Sequence, residues 1–127
     1  KLKNNFKDKR GRIVDIFTNQ PKDHCTLVTF KKKAVRGNHF HKRSTQYAFV
    51  ISGRLKMLTA KVDKNGKLIG KTTKEIISKN ILIEHKPYCA HAFKALEKSN
   101  MLAFVNGIRG GKNYEKDTFR LKNKLIV

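Results

Sequence analysis

His39-Phe40-His41, with Gln46 five residues further on and Gly53 seven beyond that, is the stretch whose reading decides the fold. Side chains at i and i+2 of a strand share a face. Two imidazoles on one face of a strand converge on a small volume. There they either bind a metal ion or carry protons to and from a bound substrate, and the residues leave both readings open.

Working outward, short apolar runs recur with turn signals between them, and none carries a helical stripe. The predicted strands are Ile13 to Phe17, Thr26 to Phe30, Gly37 to His41, Tyr47 to Ile51, Leu55 to Ala60, Leu68 to Lys71, Lys74 to Ile77, Ile81 to His85, Ala90 to Phe93 and Met101 to Val105. This is an all-β pattern. Asp63-Lys64-Asn65-Gly66 reads as a hairpin with a type I′ turn, and Gly53, Gly70 and Gly110-Gly111 mark further reversals. Many short, evenly spaced strands predict a barrel or double-sheet jelly roll whose inner cavity receives His39 and His41. Tyr47 to Ile51 and Met101 to Val105 are apolar at nearly every position, so both faces of those strands should be covered, by a second copy in a homodimer or by the chain's own loops. Phe93 and Phe104 read as core, and Tyr47 and Phe49 as core or interface. The ends, Lys1 to Lys9 and Lys112 to Val127, read as irregular.

A chain of 127 residues is expected to form a single domain over 1–127. Its composition, 39% hydrophobic and 31% charged, is that of a globular protein, and no apolar run approaches the roughly 18 residues of a membrane-spanning helix. The basic start lacks the apolar stretch of a secretory signal, so the expected compartment is the cytoplasm. Cys25 and Cys89 form no Cys-x-x-Cys pair and read as free thiols. Cys89 lies two residues before His91, so an extended segment would turn both toward one cavity. The net charge of +21 comes mostly from dispersed lysines, which make a solvated surface rather than a nucleic-acid face. Only Lys31-Lys32-Lys33 is a tight cluster, just before Arg36 and the histidines, where it would attract a phosphate-bearing small molecule.

His39-x-His41-x4-Gln46-x6-Gly53 resembles the first signature of the cupin superfamily, and Pro87-Tyr88-Cys89-Ala90-His91 resembles a worn form of the second. The resemblance spans about residues 8–107. It implies a cupin jelly-roll β-barrel in which His91 faces the cavity shared by His39 and His41. Four positions depart from the pattern: Gln46 replaces the acidic ligand, Lys33 and Tyr88 replace glycines, and Ala95 replaces a terminal Asn. His39, His41, His91 and the Gln46 amide would hold zinc, iron, manganese or nickel more weakly than a set with a carboxylate, because the amide brings no charge. Glu84 and His85 are neighbours, so only one of them can reach the cavity.

Arg36-Gly37-Asn38-His39, Lys42 and Gln46 are similar to the corresponding residues of cupins that act on nucleotide-linked 4-keto sugars, the 3,5-epimerases and 3,4-ketoisomerases. Asp8-Lys9-Arg10-Gly11 is similar to their opening, and Tyr114 to Arg120 is similar in kind to the ketoisomerase tail. The resemblance implies an isomerase or epimerase in which His39 abstracts a proton beside a ketone, His41 returns it, and Arg36, Gln46 and Lys42 bind substrate, with no cofactor. The alternatives are a metal-dependent cupin using His39, His41, Gln46 and His91, or a non-catalytic barrel that binds a metabolite. Arg36 would otherwise pair with Asp15 or Asp23. His24 and His85 default to structural roles.

Overall fold

A computed structural model describes residues 1–106 and 116–127. The predicted Gly110-Gly111 reversal and Tyr114 and Glu115 of the tail lie outside the described residues. The strands are β1 (Phe6–Asp8), β2 (Gly11–Ile13), β3 (His24–Phe30), β4 (Val35–Phe40), β5 (Gln46–Ser52), β6 (Arg54–Val62), β7 (Leu68–Ser78), β8 (Leu82–His85), β9 (Cys89–Ala95), β10 (Ser99–Val105) and β11 (Phe119–Arg120). All ladders are antiparallel. A four-stranded sheet runs β3-β10-β5-β8 and a five-stranded sheet β11-β4-β9-β6-β7, beside the small β1-β2 hairpin. Among the described residues the two large sheets remain separate ladders, so the all-β expectation holds as a two-sheet jelly-roll arrangement without a closed hydrogen-bonded barrel.

Alternation builds the core between them. Ala48 and Val50 of β5, Met101 of β10 and Phe30 of β3 meet Leu55 and Met57 of β6, Ile77 of β7 and Phe93 and Ala95 of β9. A second cluster, Phe40, Val62, Ala90 and Leu121, with Tyr88, Phe119 and Leu125 against it, closes one end. The outer faces of Tyr47 and Phe104 are covered within the chain, since Phe17 meets both rings edge-on at 5.2 and 4.9 Å. Phe17 belongs to no strand. The predicted strand Ile13 to Phe17 is replaced by the β1-β2 hairpin and a covering segment, because Phe17 is held by aromatic contacts rather than by a ladder. The predicted pair Leu68 to Lys71 and Lys74 to Ile77 is one continuous strand, with Gly70 opposite the register shift between Thr59 and Lys61.

The turn at Asp63 lies where the sequence places it, but its type differs. Only Gly66 has a positive φ, of 81°. The Asp63 carboxylate accepts the N–H groups of Asn65 and Lys67, and the Asp63 carbonyl accepts that of Gly66, so a type I turn followed by a left-handed glycine forms instead of type I′.

Two of the departures from the cupin pattern prove to be departures in residue type alone. Lys33 has φ of 73° and Tyr88 of 63°, so both keep the left-handed backbone that glycine would adopt without strain. Each is held by the ladder around it: Lys33 N–H donates to Ala95 at 2.8 Å and Tyr88 N–H to the His41 carbonyl at 2.7 Å. Lys33 is exposed. Lys33→Gly should therefore raise stability by about 0.5–1 kcal/mol, seen as a higher urea midpoint at unchanged m; an unchanged or lower midpoint would show that the left-handed turn is unstrained.

Candidate active site

The site is created by a bulge in β4. Val35, Arg36 and Gly37 face Lys94, Phe93 and Ala92 in regular register, but His39 then faces His91, so Asn38 is an extra residue in the strand. Asn38 takes φ of 56°, which an asparagine tolerates better than most side chains. Arg36 and His39, three apart, would look to opposite sides of an unbroken strand. The bulge turns both toward the same cavity. Gly37 permits the approach: a Cβ there would lie 2.7 Å from the His91 carbonyl oxygen, too close for any side chain.

His39, His41 and His91 thereby converge. Their ring centroids are 5.0 Å apart for His39–His41, 4.8 Å for His39–His91 and 5.2 Å for His41–His91, and one ligand atom from each lies within 4.8 Å of the others. All three are buried. His85 joins them, stacked parallel on His91 at 4.2 Å between centroids. The sequence did not place it beside His91. β8 pairs His85 opposite Gln46, and Ile83 and His85 both point inward while Glu84 faces out. The period of two through Ile81, Ile83 and His85 carried that signal.

The backbone sets where the ring protons sit. His91 Nδ1 donates to the Cys89 carbonyl at 3.0 Å, which leaves the lone pair on Nε2, a buried atom with no hydrogen-bond partner among the described residues. His41 Nδ1 donates to the Asp117 carbonyl at 2.7 Å. Its Nε2 stands 3.0 Å from the Gln46 amide oxygen. A neutral His41 has its lone pair there and accepts from Gln46 once that amide presents its NH2 end. At His39, Arg120 donates to Nδ1 at 3.3 Å.

Burial holds His85 and His91 neutral. It pushes His85 down to about 4 from 6.5, helped by the neighbouring His41, and holds His91 well below its ordinary value, with His85, His39 and His41 adding repulsion. Asp117 behaves oppositely. Burial would raise its carboxyl, but the N–H groups of Lys42, Ser44 and Arg43 outweigh that and hold it below the usual carboxylate value.

His39 and Gln46 face a cavity of about 840 Å³ between the sheets, with Val28 and Phe30 on one wall and Arg120 and Ile126 on another. Arg36 also lines it. Its guanidinium donates to the Thr29 carbonyl at 3.0 and 3.1 Å, rather than pairing with Asp15 or Asp23. Lys42 does not line this cavity; its ammonium lies 4.3 Å over the Phe119 ring. Cys89 lies instead in a separate depression of about 350 Å³ with Ile69 and Lys71, and both cysteines are free thiols.

A family model described as the polysaccharide biosynthesis C-terminal domain matches residues 6–119. The chain belongs to that family. No curated protein matches it. Among solved structures, the dTDP-4-dehydrorhamnose 3,5-epimerase of Sulfolobus tokodaii is 26% identical, with a TM-score of 0.69 over 80% of this chain and 65% of that one. The sugar 3,4-ketoisomerase QdtA of Thermoanaerobacterium thermosaccharolyticum, solved with TDP, is 19% identical, with a TM-score of 0.71 over 96% of this chain and 85% of that one. The capsular polysaccharide assembling protein CapF of Staphylococcus aureus is 19% identical, with a TM-score of 0.66 over 97% of this chain and 33% of that one. This chain therefore spans 65% of the epimerase's length and a third of CapF's. The fold is that of the RmlC-like cupins, the epimerases and ketoisomerases among them. No helix among the described residues is long and apolar enough to cross a membrane.

The buried imidazoles give this family member a signed pH dependence. A histidine held at about 4 in the fold and at 6.5 when unfolded favours folding above 6.5, and that contribution is lost as pH falls toward 4. For His85 it is on the order of 3 kcal/mol. Chelator-treated protein should lose stability steeply between pH 7 and 4.5, and His85→Phe should flatten the curve when urea midpoints are compared across pH. Parallel curves for the two proteins would contradict this origin.

Proposed function

We propose that this chain acts on a nucleotide-linked sugar at the carbon beside a keto group, as an epimerase or isomerase, with a divalent transition metal held by His39, His41 and His91 together with the Gln46 amide. The observation that carries the metal is the His91 Nε2 lone pair, buried and unpartnered, in a set of three imidazoles whose ligand atoms lie within 4.8 Å of one another. An orphaned buried acceptor costs about 1–3 kcal/mol, and an ion relieves it. The donor set fits: burial favours neutral imidazole, and the backbone carbonyls of Cys89 and Asp117 hold the protons of His91 and His41 on Nδ1, as the outer partners of metal-bound histidines do. Such an ion supplies Lewis acidity toward a ketone oxygen.

The chain's own residues supply binding and orientation. A cavity of about 840 Å³ falls within the roughly 300–1,000 Å³ usual for small-molecule sites. Arg36, Arg120 and Lys124 line it and provide the cations that a diphosphate requires. Val28, Phe30 and Ile126 form apolar walls that exclude water. Gln46 meets the substrate side of the cluster with a neutral amide. The same reading takes residues 1–127 as one cupin domain that works as a homodimer, with the exposed Leu27 and Ile51 on the outer face of the four-stranded sheet as its contact.

A second reading, metal-free proton transfer by His39 with His41, is favoured by one contact. An arginine only donates, so Arg120 against His39 Nδ1 supports a His39 proton on Nε2, which would serve as an acid and which a metal would have to displace to bind that nitrogen.

One experiment tests the proposal and separates the two readings. dTDP- and UDP-linked 4-keto sugars incubated with the protein in D2O should take up deuterium at the carbon beside the ketone, followed by mass spectrometry. Metal-dependent chemistry predicts that His39→Ala and His91→Ala each slow exchange by about 100-fold or more. Metal-free transfer predicts that His39→Ala is far more damaging than His91→Ala. No exchange with any such sugar would overturn the assignment of reaction class.

A further inference from the structure

The described part of the chain's end, 117–126, is stitched to the segment that carries His39 and His41. The Asp117 carboxylate accepts the N–H groups of Lys42, Arg43 and Ser44 at 2.8–3.3 Å, while its own carbonyl takes the His41 Nδ1 proton. Phe119 and Arg120 pair with Phe40 and His39 as β11. Leu121 N–H donates to the Asn38 carbonyl at 2.9 Å. The Asn38 side chain accepts from Leu125 and Ile126 N–H and donates to the Ile126 carbonyl. Phe40 stacks on Phe119 at 5.5 Å and packs with Leu121.

Asp117 is the centre of this arrangement. It is a carboxylate only 2% exposed, with its oxygens committed to backbone N–H groups and the Ser44 hydroxyl rather than to a cation among the described contacts. Three N–H donors converging on one carboxylate fix the 42–44 turn, and a turn so fixed holds the backbone carbonyl of Asp117 beside the His41 ring. A carbonyl accepts and never donates, so it selects one of the two neutral tautomers of that ring.

We propose that Asp117 is a positioning residue: by clamping the 42–44 turn it holds its own carbonyl on His41 Nδ1 and so keeps the lone pair of His41 on Nε2, the nitrogen that faces the Gln46 amide at the edge of the histidine cluster. The importance of that lone pair to catalysis rests on the metal reading above. The tautomer itself exists in metal-free protein and can be measured there, so the two ideas fail separately.

The test is long-range ¹H–¹⁵N correlation of the histidine rings in chelator-treated, ¹⁵N-histidine-labelled protein, followed by zinc titration. Wild type should show His41 as the Nδ1–H tautomer. Asp117→Asn, which replaces one acceptor oxygen by an NH2 facing backbone donors, should give a mixture with Nε2–H. It should also bind zinc about 10–100-fold more weakly. His41 found as Nε2–H or as imidazolium in wild type overturns the proposal with no variant needed, even if Asp117→Asn does not fold. A folded Asp117→Asn with unchanged tautomer also overturns it. Wild type that has the Nδ1–H tautomer yet takes up no zinc would overturn the metal reading and leave the positioning role of Asp117 supported.

Discussion

The rest of the site depends on the register between β4 and β9. One inserted residue, Asn38, moves His39 opposite His91, and Gly37 lets the two backbones approach closely enough for that pairing. In a regular ladder Asn38 would face His91, and His39 would turn away from the side that Arg36 occupies. The three-histidine volume would then not form. The same left-handed turn that shifts the ladder aims the Asn38 carbonyl and amide at the chain's last residues, so the device that builds the cluster also fastens the segment that backs it.

Much of this was legible in the sequence. The i, i+2 spacing placed His39 and His41 on one face because that signal is local, whereas His91 was placed with them only by the resemblance of Pro87 to His91 to the second cupin signature. Arg36 was expected near the site, but its place there depends on a bulge, and nothing in an Arg-Gly-Asn-His run distinguishes a bulged strand from a straight one. His85 was passed over because a lone histidine at the end of an apolar run reads as packing. Its place beside His91 emerges only when β8 pairs with β5, His85 opposite Gln46. Asp117 lies 76 residues from His41, and a carboxylate whose partners are mostly backbone N–H groups leaves little pattern in side-chain identity. The outer faces of Tyr47 and Phe104 read as apolar surface awaiting cover, and part of that cover is Phe17 of the same chain.

Charge divides the molecule sharply. The surface carries the net +21, while the cluster itself is four buried imidazoles beside an amide, with His85 and His91 favoured in neutral form by burial. A positive exterior attracts a phosphate-bearing ligand from a distance, and the buried Nε2 lone pair of His91 is left available for it or for a metal. With Gln46 in place of a carboxylate, a bound cation would keep its full charge, which favours an electron-rich oxygen of a substrate over a neutral one. The left-handed Lys33 and Tyr88 add that this chain preserves backbone shape where it has changed residue type.

The central claim is that His39, His41 and His91 hold a metal ion, and its most direct test is elemental analysis by ICP mass spectrometry. The protein is purified without chelator or metal-binding tag and compared with His91→Ala and with the His39→Ala/His41→Ala double variant. The account predicts about one equivalent of a single transition metal in wild type, lost in both variants while the fold persists by circular dichroism. Wild type that stays metal-free even after incubation with zinc, iron, manganese and nickel would contradict it.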